Sequence, residues 1–555
     1  MGAPALSQTA SSSVTSEPQA HDTSAQREAA TSPLFKTTLS LVALQLVSRV
    51  FSFALNQLLL RSTTAEALGV ATIGFDVLRD TSLFLAREGV RGAIIRARKI
   101  DLQRDKATYS RTLFLPTLMC PLVLSLFLVY DRFATPTRTP PFFRLTLGLY
   151  TISALFELLS EPYYLVTLVN WETATSSRVR VEGFAVGAKS IATLAVVVLS
   201  SSDKALLSFG VGQAVYGLSL LIGLRTVARN AAHGSTIRWV SSSGSQAKFD
   251  PVILQTSWAL TKQSLVKQLL TEGDKIAVGR LSQLEDQGGY AIALNYGSLI
   301  ARILFQPLEE SSRLFFSRNL AKPTPQLIKQ AAHLLQSLLL LYSHLTLILV
   351  LLAPSYTTPL LYHLLGPRWV SPPSSAAILL QTYCSTYLPF LAFNGLTEAF
   401  CQSCASPTWI RRGSYWMMVC SIVFLICVYI VNVKLELGER GLIYANCVNM
   451  AMRIGFSTVF AHNFFKRHDT VDETAWKALL PAKWVPKLPT LTVFALTHVI
   501  VKKSLQRGIW ITKRGMLEHV GIGAVSGLAC LAVIAWTERK NLDNFKQVLM
   551  RQKTE

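Results

Sequence analysis

The sequence predicts an all-α polytopic membrane protein, with about 14 transmembrane helices arranged as two six-helix lobes plus two C-terminal helices. Three observations carry that prediction. Half of the 555 residues are apolar and only 15% are charged, against roughly 25% charged in soluble chains. The mean hydropathy is +0.36. The apolar residues also fall in runs close to the roughly 20 residues that a helix needs to cross hydrocarbon. A water-soluble enzyme is excluded on these grounds. The net charge of +22 would suggest nucleic acid in a soluble protein. In a polytopic chain it reads as basic cytoplasmic loops instead, so no nucleic-acid partner is expected.

Residues 1–32 are rich in Ser, Thr, Ala and Gln. They have too few large apolar groups to offset the entropy of ordering, and read as a disordered tail. The tail has neither a signal-peptide pattern nor the arginines of a presequence, leaving the first span as its own targeting signal. Hydrophobic windows follow at 34–60, 66–86, 111–130, 142–161, 183–200, 205–224, 251–272, 288–307, 331–353, 374–400, 415–431, 441–465, 488–503 and 518–536. The windows at 66–86 and 251–272 hold charges, and that at 488–503 is short. With a cytoplasmic tail, every second connection should be enriched in Lys and Arg. The connections at 87–111, 225–250 and 463–487 are so enriched, the first holding Arg87, Arg91, Arg96, Arg98, Lys99, Arg104, Lys106 and Arg111. Both termini are then cytoplasmic. The segment from Lys502 to Arg514, with five basic residues, breaks the rule and makes the last two spans the weakest part of the topology.

The Ser-rich connection at 225–250 divides the chain into an N-terminal lobe, 33–224, and a C-terminal lobe, 251–465. A cytoplasmic loop at 466–487 and the two appended helices with their tail, 488–555, complete the organisation. Two such halves suit a transporter whose site lies between repeats, although residue-level similarity between them is not visible.

Charges inside a span cost about 2.5 to 3.5 kcal/mol each and mark wet paths or substrate sites. In the first window Gln45, Arg49, Ser52 and Asn56 share one helical stripe. The second holds Asp76, Arg79 and Asp80. The seventh carries Gln255, Lys262, Gln263, Lys267, Gln268 and Glu272, and the eighth Asn295, Ser298 and Arg302, followed by Gln306, Glu309 and Glu310. Bundle-holding pairs such as Arg79 between Asp76 and Asp80 are the plainer explanation of each stripe. Their equivalent places in the two halves favour a shared hydrophilic cavity. Glu157 with Glu161, Asn394 with Glu398, and Asn446, Asn449 and Arg453 read as structural pairs. His344 and His498 read as satisfied bundle residues.

Catalytic and metal patterns are not found. Cys401 and Cys404 form a lone C-x-x-C with no second ligand pair, and the other cysteines read as free apolar thiols. Residues 183–190 nearly match a phosphate loop, but Ala188 stands where a Gly belongs and the stretch enters an apolar span rather than linking strand to helix. No G-x-S-x-G, H-E-x-x-H or acidic metal cluster occurs, so neither an enzyme nor a cofactor or metal is expected.

Several segments resemble the eukaryotic Rft family of oligosaccharide translocation proteins, within the multidrug/oligosaccharidyl-lipid/polysaccharide exporter superfamily. They are Leu83 to Glu88 with Arg91; Glu161-Pro162-Tyr163; the block from Lys262 to Phe316, with K-Q-S-L-V-K-Q-L-L-T-E-G-D-K, D-Q-G-G-Y, N-Y-G-S-L-I-A-R and P-L-E-E-S; Asn394 to Glu398; and Ala445 to Met450. The resemblance runs over about 34–540. It implies an endoplasmic reticulum membrane protein of the dolichol pathway of N-glycosylation. Its expected substrate is Man5GlcNAc2 on dolichyl pyrophosphate, carried from the cytoplasmic to the luminal leaflet, with membrane lipids and other membrane proteins of the pathway as further partners.

A pyrophosphate and seven sugars cannot cross hydrocarbon without a polar groove. On that expectation Arg49, Arg87, Arg91, Lys262, Lys267 and Arg302 bind the pyrophosphate, while Asn56, Asn295, Glu309 and Glu310 contact sugars or latch the lobes. Arg87 and Arg91, at the end of the second window, could equally fix topology or contact phospholipid. Two alternatives stay open: a cation-coupled small-solute antiporter of the same fold using Asp76 and Asp80, and a non-transporting scaffold of the pathway.

Overall fold

The computed structural model describes residues 54–96, 111–133, 140–169, 171–200, 204–231, 249–281, 284–320, 324–372, 374–468, 477 and 479–539. The N-terminal tail, most of the first window with Arg49, most of the 225–250 connection, part of the 463–487 loop and the C-terminal tail lie outside them. By its internal contacts the chain divides at residue 56. The first unit is described only from residue 54, and the second, 57–555, contains the fold set out below.

Every regular element among the described residues is helical. Helix α1 runs over 54–62 and α2 over 65–96. The remainder of the N-terminal half comprises α3 (Leu115–Phe133), α4 (Phe143–Val169), α5 (Trp171–Leu199) and α6 (Ala205–Ala231). In the second half α7 spans Pro251–Leu281, α8 covers 284–319, α9 is Pro325–Leu352 and α10 is Pro354–Leu365. They are followed by α11 (Ala376–Cys404), α12 (Pro407–Tyr429), α13 (Gly438–His468), α14 (Leu488–Gln506) and α15 (Lys513–Thr537).

Local chemistry explains the boundaries. Thr64, Thr324 and Thr512 accept from the backbone N–H of Ala67, Leu327 and Gly515, at 3.3, 3.4 and 3.1 Å, and so cap α2, α9 and α15. Proline stands in the first turn of α9, α10, α12 and α14, where its missing N–H costs nothing.

Eight helices among the described residues are long and apolar enough to cross a membrane: α3, α4, α5, α6, α9, α11, α12 and α15. They coincide with eight of the expected windows. The windows at 66–86, 251–272, 288–307, 441–465 and 488–503 also fall on helices, more polar or shorter ones, so the count of 14 stands as an expectation. Sequence reading missed α10, a 12-residue helix directly after α9. It also missed five π-turns, at Val70–Phe75, Ala301–Phe305, Ile348–Leu352, Tyr383–Tyr387 and Ile430–Lys434. Such turns widen a helix locally and re-aim the side chains around them. One directly precedes Asp76 and another contains Arg302.

Packing relies on small residues, as expected where lipid supplies no hydrophobic drive between helices. A Cβ added at Gly217 of α6 would lie 2.8 Å from the carbonyl oxygen and 3.1 Å from the Cα of Ser153 in α4. The Ser153 hydroxyl completes this contact by donating to the Gln213 carbonyl at 2.6 Å. The two halves meet where α2 packs on α7 and where the start of α2 packs on α8. Gln268 of α7 donates to Thr81 at 3.4 Å, and Tyr296 of α8 donates to Gln57 of α1 at 2.6 Å. Arg368, in the turn after α10, donates to the Leu60 carbonyl at 3.3 Å and to that of Arg61, capping the end of α1.

Three histidines attach the last two helices. His498 Nδ1–H donates to the Leu351 carbonyl at 2.5 Å, His363 Nε2–H to that of Trp510 at 2.7 Å, and His519 Nε2–H to that of Ser355 at 3.2 Å. His519 is fully buried, and its Nδ1 lies 2.8 Å from the Ser504 hydroxyl. The neutral ring with its proton on Nε2 satisfies both neighbours.

Replacing Gly217 with Leu should overpack the α4–α6 contact against backbone, which cannot withdraw as a side chain can. The expected cost is about 1–3 kcal/mol, read as a lowered thermal unfolding midpoint of the detergent-solubilised protein. Gly183, with open space around it, should tolerate Ala without loss.

Candidate functional site: intramembrane charge clusters

Eight charged residues on α2, α4 and α5 form one network in the N-terminal half, joined by Gln213 of α6. Arg79 donates to Asp80 at 2.9 and 2.6 Å, and lies 3.7 Å from Asp76 and 4.0 Å from Glu157. Arg87 Nη1 bridges Glu157 at 3.5 Å and Glu161 at 3.3 Å. Arg91 grips Glu161 with two bonds, from Nε to Oε2 at 3.0 Å and from Nη2 to Oε1, and its guanidinium stacks 3.9 Å from the centre of the Tyr164 ring. Lys189 of α5 reaches Asp76 at 4.0 Å. From α6, Gln213 donates to both Glu157 and Ser153 at 3.3 Å.

Four basic groups thus meet four carboxylates, and the network is neutral as a whole. Glu157 and Glu161 are its hub, with side chains only 5% and 2% exposed. The cost of enclosing two carboxylates so fully is offset by the several cations and donors that contact them. Their one-turn spacing, with Tyr163 and Tyr164 following, was the signal available in the sequence. It suggested a structural pair and gave no hint of the partners 70 and 74 positions away.

Arg87 and Arg91, expected from the sequence to bind the pyrophosphate, have their guanidinium groups against Glu157 and Glu161 in this structure. The antiporter alternative weakens for the same reason, since Asp76 and Asp80 both face Arg79 and are not isolated carboxylates awaiting a cation.

A second, smaller cluster lies in the C-terminal half. Arg453 of α13 donates to Glu398 of α11 at 2.6 Å, while Asn394 and Gln402 donate to the same carboxylate at 3.1 and 2.8 Å. The sequence predicts the Asn394–Glu398 pair; Arg453 and Gln402 join it in the structure. Glu309 of α8 is half-buried and faces Gly395, where any side chain would collide with its carboxylate. Glu310 is exposed.

The other expected site residues are placed differently. Lys262 is exposed, its Nζ 5.7 Å from the centre of the Trp258 ring. Arg302 is exposed in the π-turn of α8 and donates only to Ser298 of its own helix, at 3.3 and 3.2 Å. Among the described residues no carboxylate neutralises either of them. Asn295 is half-buried one turn before Ser298, and Asn56 is half-buried in α1. Lys267 lies on α7 with its side chain outside the described set, and Arg49 lies wholly outside it. The structure brings together α2, α7 and α8, three of the helices singled out by their polar stripes. Among the described residues, Arg79, Arg87 and Arg91 meet carboxylates within the N-terminal half, and Lys262 and Arg302 meet none.

Glu161→Gln should leave Arg87 and Arg91 without their shared counter-ion and cost about 3 kcal/mol or more, read as loss of folded protein on heating. Combining it with Arg91→Gln should recover part of the loss. A simple sum of the two penalties would show that the residues do not interact.

Comparison with known proteins agrees with this architecture. The profile of the Rft protein family matches residues 34–548. "Man(5)GlcNAc(2)-PP-dolichol translocation protein RFT1" of Eremothecium gossypii is 32% identical over 459 residues, covering 76% of this chain and 81% of its own. The protein of that name in Saccharomyces cerevisiae is 31% identical over 474 residues, with the same coverage of 76% and 81%. Among solved structures, "Lipid II flippase MurJ, inward closed conformation" is similar in fold, with a TM-score of 0.50 at 15% identity over 88% of this chain and 98% of its own. A helical membrane architecture, its polar residues clustered within the spans, and a match extending over nearly the whole chain place this protein in the Rft family.

Proposed function

We propose that this protein moves a dolichyl-pyrophosphate-linked oligosaccharide, Man5GlcNAc2, from the cytoplasmic to the luminal leaflet of the endoplasmic reticulum for N-glycosylation. The observation that carries the proposal is the match over three quarters of the chain to relatives whose names describe that translocation. The clustered intramembrane charges give it a physical basis. A head group bearing a pyrophosphate and seven sugars needs fixed donors and cations wherever it leaves water. Lys262 and Arg302, free of carboxylate partners among the described residues, suit the pyrophosphate best, with Arg49 and Lys267 as further candidates. Asn56, Asn295, Glu309 and Glu310 are assigned to sugar hydroxyls or to contacts between the halves.

In this reading the protein is a carrier and not an enzyme, with both termini in the cytoplasm. Residues 33–224 and 251–465 act as two lobes around the head group, and 488–555 is an appendage. Arg87 and Arg91 take a positioning role, holding α2 to α4 through Glu157 and Glu161. The charge-balanced network lets the N-terminal half move as one body, which alternating access between rigid halves requires.

Reconstitution tests the proposal. Purified protein in liposomes should speed the appearance of labelled Man5GlcNAc2-pyrophosphoryl-dolichol in the opposite leaflet. Arg302→Glu and Lys262→Glu should each lower that rate at least about tenfold, the loss of one charge-assisted contact, with folding unchanged. Equal rates with and without protein would remove direct translocation, and full activity in both variants would remove these residues from the site.

A further inference from the structure

An elongated apolar cavity of about 480 Å³ lies inside the C-terminal half, between α9, α11 and α13. No polar cluster described above enters it. On α9 its wall runs from Leu335 to Val350, which at 1.5 Å per residue is a slot roughly 22 Å long, parallel to the helices. Phe390, Phe393 and Phe400 of α11 form the aromatic wall. Trp484, in the short turn Pro481–Trp484, closes one end. The Trp484 ring sits 5.6 Å from that of Phe393, and its Nε1–H donates to the Leu479 carbonyl at 3.1 Å. The opposite end is less covered, since Val350 and Phe390 are 37% and 36% exposed.

Among the described residues, the charge around the closed end is basic. Lys466, Arg467 and His468 occupy the last turn of α13, one to two turns beyond the lining residue Ala461, and Lys483 adjoins Trp484. Lys466, Arg467 and Lys483 are exposed. An apolar slot along the membrane axis, ending in a basic patch, is complementary to one kind of molecule: a long hydrocarbon chain with an anionic phosphate head. The aromatic wall and a volume generous for the length leave room for methyl branches beside a main chain.

We infer that the slot between α9, α11 and α13 binds the polyisoprenoid chain of a polyprenyl phosphate, with the phosphate at the Lys466, Arg467 and Lys483 end. The inference rests on the function proposed above and deepens it: the slot holds the lipid in an earlier pose, with its phosphate at the Lys466, Arg467 and Lys483 end, before the head group passes to Lys262 and Arg302.

The test is photolabelling of the full-length protein in nanodiscs with a diazirine-bearing polyprenyl phosphate, followed by peptide mapping. Crosslinks should fall on α11 and the 479–484 segment. Excess dolichyl phosphate should remove them; dioleoyl phosphatidic acid should not. Leu339→Trp, which fills the slot, should lower labelling about tenfold or more, equivalent to losing two buried methylenes. Val350→Phe, at the open end where a larger side chain has room to turn outward, should give a smaller loss and guards against misfolding of the first variant. Arg467→Glu with Lys483→Glu should weaken the phosphate probe and leave a polyprenyl alcohol probe unaffected.

Labelling spread evenly over lipid-facing helices, or competed equally by phosphatidic acid, would overturn the assignment. In the liposome assay, Leu339→Trp should slow the native lipid and spare a short-tailed analogue. A wild-type protein that moves neither lipid but still labels in the slot would refute the carrier reading alone.

Discussion

Neutralisation of charge within hydrocarbon is the constraint on which the rest of this structure depends. Helix α2 carries three arginines into a region where an unpaired cation is severely penalised, and the fold answers with Glu157 and Glu161 from α4, more than 60 positions along the chain. The pairing determines which face of α2 turns toward α4, leaving its opposite side, with Gly89 and Gly92, to pack against α7. The position of α7 then determines where Lys262 stands. The buried ion network and the exposed cations are thus consecutive results of one packing order.

The two halves solve the same problem with different parts. The N-terminal half uses several arginines and a pair of fully enclosed carboxylates. The C-terminal half uses a single arginine, Arg453, and supplements it with the amides of Asn394 and Gln402 on one carboxylate, Glu398. Amides satisfy lone pairs without adding charge, so the second cluster remains small and leaves space nearby for an apolar cavity.

Much of this was legible in the sequence. Apolar runs located the helices because length and hydropathy are local properties, and the polar stripes at 76–80, 255–272 and 295–302 picked out helices that meet between the halves. What could not be read depends on long-range partners. Arg87 and Arg91 look like ligands for an anion until Glu161 is placed beside them, whereas Lys262, which looks the same, meets no carboxylate among the described residues. The π-turns, α10 and the cavity left no periodic trace, since each arises from how neighbouring helices fit. The match to the Rft family supplies the substrate class, which composition and spacing alone do not reach.

The attachment of α14 and α15 has a consequence for sequence divergence. His498, His519 and His363 each donate to a main-chain carbonyl, those of Leu351, Ser355 and Trp510. A carbonyl is supplied by whichever amino acid occupies the position, so the acceptor side of this seam can drift freely while the path of the polypeptide is kept. The seam of the final hairpin therefore rests partly on three imidazoles and the course of a backbone, beside the core that Leu352 makes with Phe494 and Cys530, where side-chain identity does count.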